Sequence, residues 1–163
     1  MEIVITPFEK LDPAVAYGVW RLRQDVFVVE QDCPYPDLDG RDLEPATRHV
    51  VLLEPPDGAA GPGGAGDPGT SGRVLGTARI LDDGDRLRVG RVCLAREARG
   101  RGLADDLMRA ALAHVEAAGD GRDVVLDAQS PLAGWYGSFG FAPDGEEFLE
   151  DGIPHTPMRL SRP

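Results

Sequence analysis

Residues 96–108, REARGRGLADDLM, put three arginines and two glycines into seven positions, then pass into a leucine-bearing helical pattern. That order can bind an anion. The first backbone N–H groups of a helix have no partner inside it and point outward. The helix dipole adds partial positive charge there, and glycines let a phosphate come close to the backbone. Charge is gathered at the same place. From residue 86 to 101 six arginines stand against Glu97 alone, +5 in a chain of net −11, so the rest carries −16. A positive island in a negative field suits a small polyanion rather than a long one. No G-x-x-x-x-G-K-[ST] loop is present, and Gly100-x-Gly102 has Asp105 where a dinucleotide fingerprint wants its third glycine. Asp105 and Asp106 suit the helix dipole but would repel a phosphate if they faced it.

The other reactive side chains are scattered. Cys33 and Cys93 lack metal-ligand spacing and read as reduced, structural thiols. His49, His114 and His155 give no zinc pattern, so no metal is expected. Lys10 is the sole lysine. The acidic balance excludes a general nucleic-acid binder. No apolar run approaches the roughly 20 residues of a membrane span. MEIVITPFEK also lacks the basic and apolar regions of a secretory signal. The expectation is a cytoplasmic protein with no membrane partner.

The length of 163 residues favours one domain spanning 1–163. EIVIT (2–6) reads as a strand. Asp12-Pro13 reads as an N-cap with proline at the first helical position. Val15, Val19, Leu22, Val26 and Val29 then form one apolar face of a continuous helix, ended by Cys33-Pro34-Tyr35-Pro36. An acidic loop runs from Asp37 to Glu44, and HVVLL (49–53) is a second strand. Residues 55–73 hold no large apolar side chain and are expected to be a mobile loop. VLGTARIL (74–81) should pair antiparallel with 49–53, and LRVGRVCLA (87–95) is a fourth strand after the turn at Asp82–Asp85. Leu103, Leu107, Ala111 and Val115 mark the next helix, with Met108 and Leu112 beside them. DVVLDA (123–128) is a buried strand. A short helix carries Leu132, Trp135, Tyr136 and Phe139, capped by Gly140, and a hairpin-like pair closes the chain. The order is β-α-β-β-β-α-β-α-β-β.

Arg99, Gly102 and Ala104 spell R-x-x-G-x-A. With this motif the sequence resembles the GNAT acyltransferase superfamily, whose hallmark is [QR]-x-x-G-x-[GA] after the fourth strand. Residues 24–50, WYGSFGF (135–141) and EDGIPH (150–155) resemble its ElaA-type branch more narrowly. The resemblance implies an α/β (α+β) fold: a single GNAT-type domain, its central sheet mixed but mostly antiparallel. Helices would cover both faces, and the sheet would splay between the fourth and fifth strands.

The function implied is acetyl-CoA-dependent N-acetyl transfer, by direct attack of a small amine or peptide amine in a ternary complex. The diphosphate of coenzyme A would lie on Arg99, Gly100, Arg101, Gly102, Leu103 and Ala104. Its pantetheine arm would lie along a bulged strand at Val92, Cys93 and Leu94. Tyr136 would stand near the sulfur. Read as residues alone, Tyr136 fits core packing better, at helical spacing with Leu132, Trp135 and Phe139.

Two proton problems then remain. An amine with a pKa of about 10.4 must lose its proton, and the departing thiolate must gain one. A tyrosine hydroxyl, pKa roughly 10, can donate it. A backbone N–H near Leu94 could hold the oxyanion. Glu30, His49 and His155 are the candidate bases. The acceptor side falls on the first helix and acidic loop, with Arg23, Asp39, Asp42 and His49 as substrate-binding candidates. Arg23 and Arg48 could brace the loop by carboxylate pairing. The alternatives are an enzyme like the acyl-homoserine-lactone synthases, against which the coenzyme A turn speaks, and a binding module that holds acyl-CoA without turning it over. A homodimer is left open.

Overall fold

A computed structural model describes residues 1–55 and 72–162. Strands β1 (Glu2–Thr6), β2 (Arg48–Glu54), β3 (Arg73–Asp82), β4 (Leu87–Leu94), β5 (Val124–Gln129), β6 (Ala142–Pro143), β7 (Phe148–Glu150) and β8 (Ile153–Leu160) form one sheet. Its order is β1-β2-β3-β4-β5-β8-β6, with β7 also on β8. Helices α1 (Pro13–Arg23), α2 (Leu103–Ala117) and α3 (Ala133–Gly137) complete the fold. The expected pairing of 49–53 with 74–81 is present, His49 opposite Arg79 and Leu53 opposite Val74. The end of the chain holds three short strands where two were expected. The stretch expected to be mobile, 55–73, lies almost wholly outside the described residues.

Successive strand residues point to opposite faces. Val51 packs with Val15 and Val19 of α1. Val50 and Leu52 share the main core with Leu107, Met108 and Ala111 of α2. Helices therefore cover both faces, which is why the central strands read as near-continuous apolar runs.

The first helix departs from its expected phase. Asp12 caps α1 as expected, its carboxylate accepting from the amides of Ala14 and Val15. From Gln24 to Glu30, however, the chain is a π-helix, and the amide of Gln31 donates to the carbonyl of Val26, five residues back, at 3.1 Å. The wider turn shifts the angular phase of the residues in and after it. Val26 is buried, but Val29, expected on the same face, is 66% exposed.

Two irregularities open the sheet. Arg79 faces Gly90 and Thr77 faces Cys93, so Arg91 and Val92 stand opposite Ala78 alone. This is a β-bulge, and Arg91 holds a positive φ of 54° within it. Beside it, β4 and β5 are parallel and pair only at Leu87 with Val124 and Arg88 with Val125. Beyond those residues the strands diverge, while β5 stays paired to β8 along its whole length, from Val124 to Gln129. The result is a wedge between β4 and β5.

Candidate active site

The arginine–glycine turn lies at the open end of the wedge. Gly100 and Gly102 have φ of 70° and 75°, a region costly for residues with a Cβ. An added Cβ at either would meet no atom within 4 Å, so the space before the turn is open. Among the described residues, none of the amides of Gly100, Arg101, Gly102, Leu103 and Ala104 donates a hydrogen bond. Helical bonding resumes only at Asp105 and Asp106, which donate to the carbonyl of Gly102. Consecutive unpaired amides at a helix start make an anion cradle. Its donors fit a diphosphate, and Arg101 is exposed at its centre.

The two aspartates do not close this cradle. Asp105 accepts from the Trp135 indole N–H at 2.8 Å and from Arg109 at 3.3 Å. Asp106 lies 3.7 Å from Arg109. The indole bond turns the Asp105 carboxylate toward α3 and ties α3 to α2. That matters because α3 is one short turn and cannot fix its own orientation.

Tyr136 hangs from α3 into the core, 7% exposed, edge-on to Trp135 at 4.7 Å and to Phe141 at 6.2 Å. Burial pushes its pKa up to about 12, so the hydroxyl keeps its proton. On β4, Val92 is half-buried while Cys93 and Leu94 are buried. Burial pushes the Cys93 thiol to about 12, which leaves it inert. Cys33 is also free.

The base candidates separate sharply. Glu30 is held by Arg99 through two hydrogen bonds of 2.6 and 3.1 Å and by Arg96 at 3.2 Å. The Arg99 hydrogen bond above all holds its carboxyl below the usual range. His49 is 1% exposed, and its Nε2 donates to the carbonyl of Asp42 at 3.1 Å. Burial keeps its pKa below the ordinary imidazole value. His155 lies on β8 opposite Gln129. Its Nδ1 donates to the carbonyl of Ile153 at 2.8 Å, which places the lone pair of the neutral ring on Nε2.

The structure gathers the residues assigned to acceptor binding, three of them below the surface and Asp39 exposed. Arg23, Asp42 and His49 are each at most 3% exposed. Arg23 donates to Asp37 and Asp42, both at 2.8 Å. Arg79 grips Asp39 with two bonds of 2.8 and 2.7 Å and reaches Asp42 at 3.1 Å. Arg91, in the bulge, pairs with Asp37 at 2.7 Å and lies over the Tyr35 ring. Asp37 and Asp42 are thus drawn inward, and with Asp39 they are paired to arginines. Arg23 braces the loop as expected, whereas Arg48 donates to the carbonyls of Pro45 and Thr47 instead.

Sequence reasoning misses Arg79 and Arg91 as members of this site. Their signal is present: Arg79 interrupts the apolar run of β3 and Arg91 is the second arginine within β4. It misses Gln31 and Gln129 as well. They bond to each other at 3.1 Å from the π-turn to the end of β5, and nothing local marks them. Among the described residues no metal-binding group and no helix long and apolar enough to cross a membrane is found.

The comparisons with known proteins agree with this fold. A family profile described as an acetyltransferase (GNAT) domain matches residues 69–162. The UPF0039 protein Rv2851c of Mycobacterium tuberculosis is 45% identical over 91% of this chain and 85% of that protein. An acyl-CoA N-acyltransferase from Pseudomonas aeruginosa superposes with a TM-score of 0.84 at 33% identity, over 99% of this chain and 100% of that one. Escherichia coli ElaA superposes equally well, TM-score 0.84 at 32% identity over the same shares.

Proposed function

The chain belongs to the GNAT acetyltransferase family, an acyl-CoA-dependent acyltransferase of the ElaA-like branch, and on that premise we propose that it moves an acetyl group from acetyl-CoA to an amine. One observation carries the reading. Five unpaired amides, Gly100 to Ala104, stand at the mouth of α2 after the strand that parts from β5, and α3 carries a buried, protonated tyrosine.

Acetyl-CoA supplies an activated acyl carbon and a thiol leaving group, so positioning provides much of the rate. The Gly100–Ala104 amides receive the diphosphate. Val92, Cys93 and Leu94 line the pantetheine arm, and a β4 amide near Leu94 faces the developing oxyanion. The Tyr136 hydroxyl gives its proton to the departing sulfur. His155 is the base: its Nε2 makes no hydrogen bond among the described residues and lies 3.9 Å from Glu150 at the β7–β8 edge, whereas the unpartnered Nδ1 of His49 is buried. His155 takes the ammonium proton directly or through a water. Glu30 is occupied by two arginines and His49 is sealed in the core, so neither serves. The acceptor enters on the side of the π-turn and β8. Two free thiols fit a reducing cytoplasm.

Calorimetry with acetyl-CoA, followed by thiol release with a panel of small amines and lysine-containing peptides, tests the reading. Binding in the micromolar range and release with at least one amine is the expected outcome. Binding with no release from any amine would make the protein an acyl-CoA sensor.

A further inference from the structure

Glu30 and Gln31 end the π-turn, and they reach in two directions. Glu30 holds Arg99 by the two hydrogen bonds given above, and the Nε of Arg99 donates to the carbonyl of Leu94 at 3.1 Å, the last residue of β4. Gln31 accepts from Gln129 at 3.1 Å, the last residue of β5. The two strands share no ladder beyond Arg88 and Val125. Two consecutive residues therefore bridge the ends of strands that have already parted. The bridge is built from side chains where the backbone no longer provides one.

We propose that Glu30 and Gln31 form a crossbar that fixes the width of the β4–β5 wedge, with Glu30 a positioning residue acting through Arg99. The inference rests on the coenzyme A reading of the wedge. Arg99 commits its fork to Glu30 and Leu94, so it shapes the turn and leaves the gripping of phosphate to the amides. A wedge held at one width admits the thioester arm without ordering it first, and such preorganisation appears as affinity.

Charge and geometry make opposite predictions here, which allows a clean test. Glu30→Gln removes one negative charge near an anion site, and by charge alone it would tighten acetyl-CoA. Glu30→Asp keeps the charge but draws the carboxylate back by one methylene. The crossbar predicts that both variants weaken calorimetric acetyl-CoA binding, by roughly threefold to fivefold, the ceiling for a half-exposed pair. KM for acetyl-CoA rises in parallel, kcat stays within about twofold, and the pH–rate profile keeps its shape. In an Arg99→Gln background, Glu30→Gln adds nothing further.

The proposal is overturned if Glu30→Asp binds as wild type while Glu30→Gln binds tighter. It is equally overturned if kcat falls more than tenfold with loss of the acid limb, which would make Glu30 the base, or if the effect persists without Arg99. Gly102→Asp is the control for the underlying reading. If Gly102→Asp loses acetyl-CoA while both Glu30 variants bind as wild type, the crossbar fails and the site stands. If wild type binds no acetyl-CoA, both fail.

Discussion

Arginine meets carboxylate in two places in this molecule. Beneath α1, Arg23, Arg79 and Arg91 face Asp37, Asp39 and Asp42, three charges against three. At the mouth of α2, Arg96 and Arg99 share Glu30 alone, Arg101 stands exposed, and five amides are unpaired. The first assembly is largely buried and balanced. It can hold an element in place, but it has little left to offer a ligand. The second is open and under-satisfied, and such groups gain most when an anion arrives. Composition alone does not separate the two, since both gather the same residue types. Satisfaction of charge and amide separates them.

Breaking the first assembly should cost the fold most. Asp42→Ala leaves three arginines facing two carboxylates, Arg23 keeping Asp37 and Arg79 keeping Asp39, and one positive charge uncompensated below the surface; urea unfolding should show a loss of about 3 kcal/mol, and a loss under about 0.5 kcal/mol would mean the network is dispensable. The pH dependence follows the same logic. Burial works to raise the pKa of Asp39 and Asp42, but the arginine hydrogen bonds and charges together outweigh it, and both fall below the ordinary carboxylate value. A depressed carboxyl stabilises the fold above its unfolded pKa of about 3.9 and loses that contribution as pH falls through the folded value. Acid unfolding should therefore begin below about pH 4 and steepen downward.

The wedge responds in the opposite order, function before stability. Tyr136→Phe should lower kcat about 100-fold with acetyl-CoA affinity unchanged; full turnover would return Tyr136 to a packing role. Gly102→Asp puts a side chain at a positive φ and a negative charge against the diphosphate. Affinity should fall at least about tenfold while stability drops by only about 1 kcal/mol, and equal affinity would remove the anion site. The smallest effect is expected where α3 meets α2. Trp135→Phe frees α3 from Asp105, so kcat should fall severalfold at constant affinity, and an unchanged kcat would show that Phe141 and the core alone orient Tyr136.

Much of the fold could be read from sequence because its signals are local. The cap at Asp12, the apolar runs of β2 and β3 and the glycine turn at 100–102 are set by residues within a few positions of one another. What escaped is set by distance. The phase slip that exposes Val29 comes from a π-turn whose bonds reach five residues back, and apolar spacing could not show it. The pairing of the acidic loop could not be read because its arginine partners lie up to 54 positions away, as Arg91 does from Asp37. Asp105 reads as a threat to phosphate binding until Trp135, 30 positions later, claims it.

The arginine network has a further effect on the protein's own chemistry. A guanidinium stays protonated up to about pH 12 and makes a poor nucleophile, whereas an ammonium that loses its proton attacks a thioester readily. Every cation that braces the wedge and the acidic loop is a guanidinium, and the chain's single lysine, Lys10, sits in the short turn Phe8–Lys10 after β1. A protein that handles activated acyl groups thus presents them with almost no side-chain amine of its own to consume them.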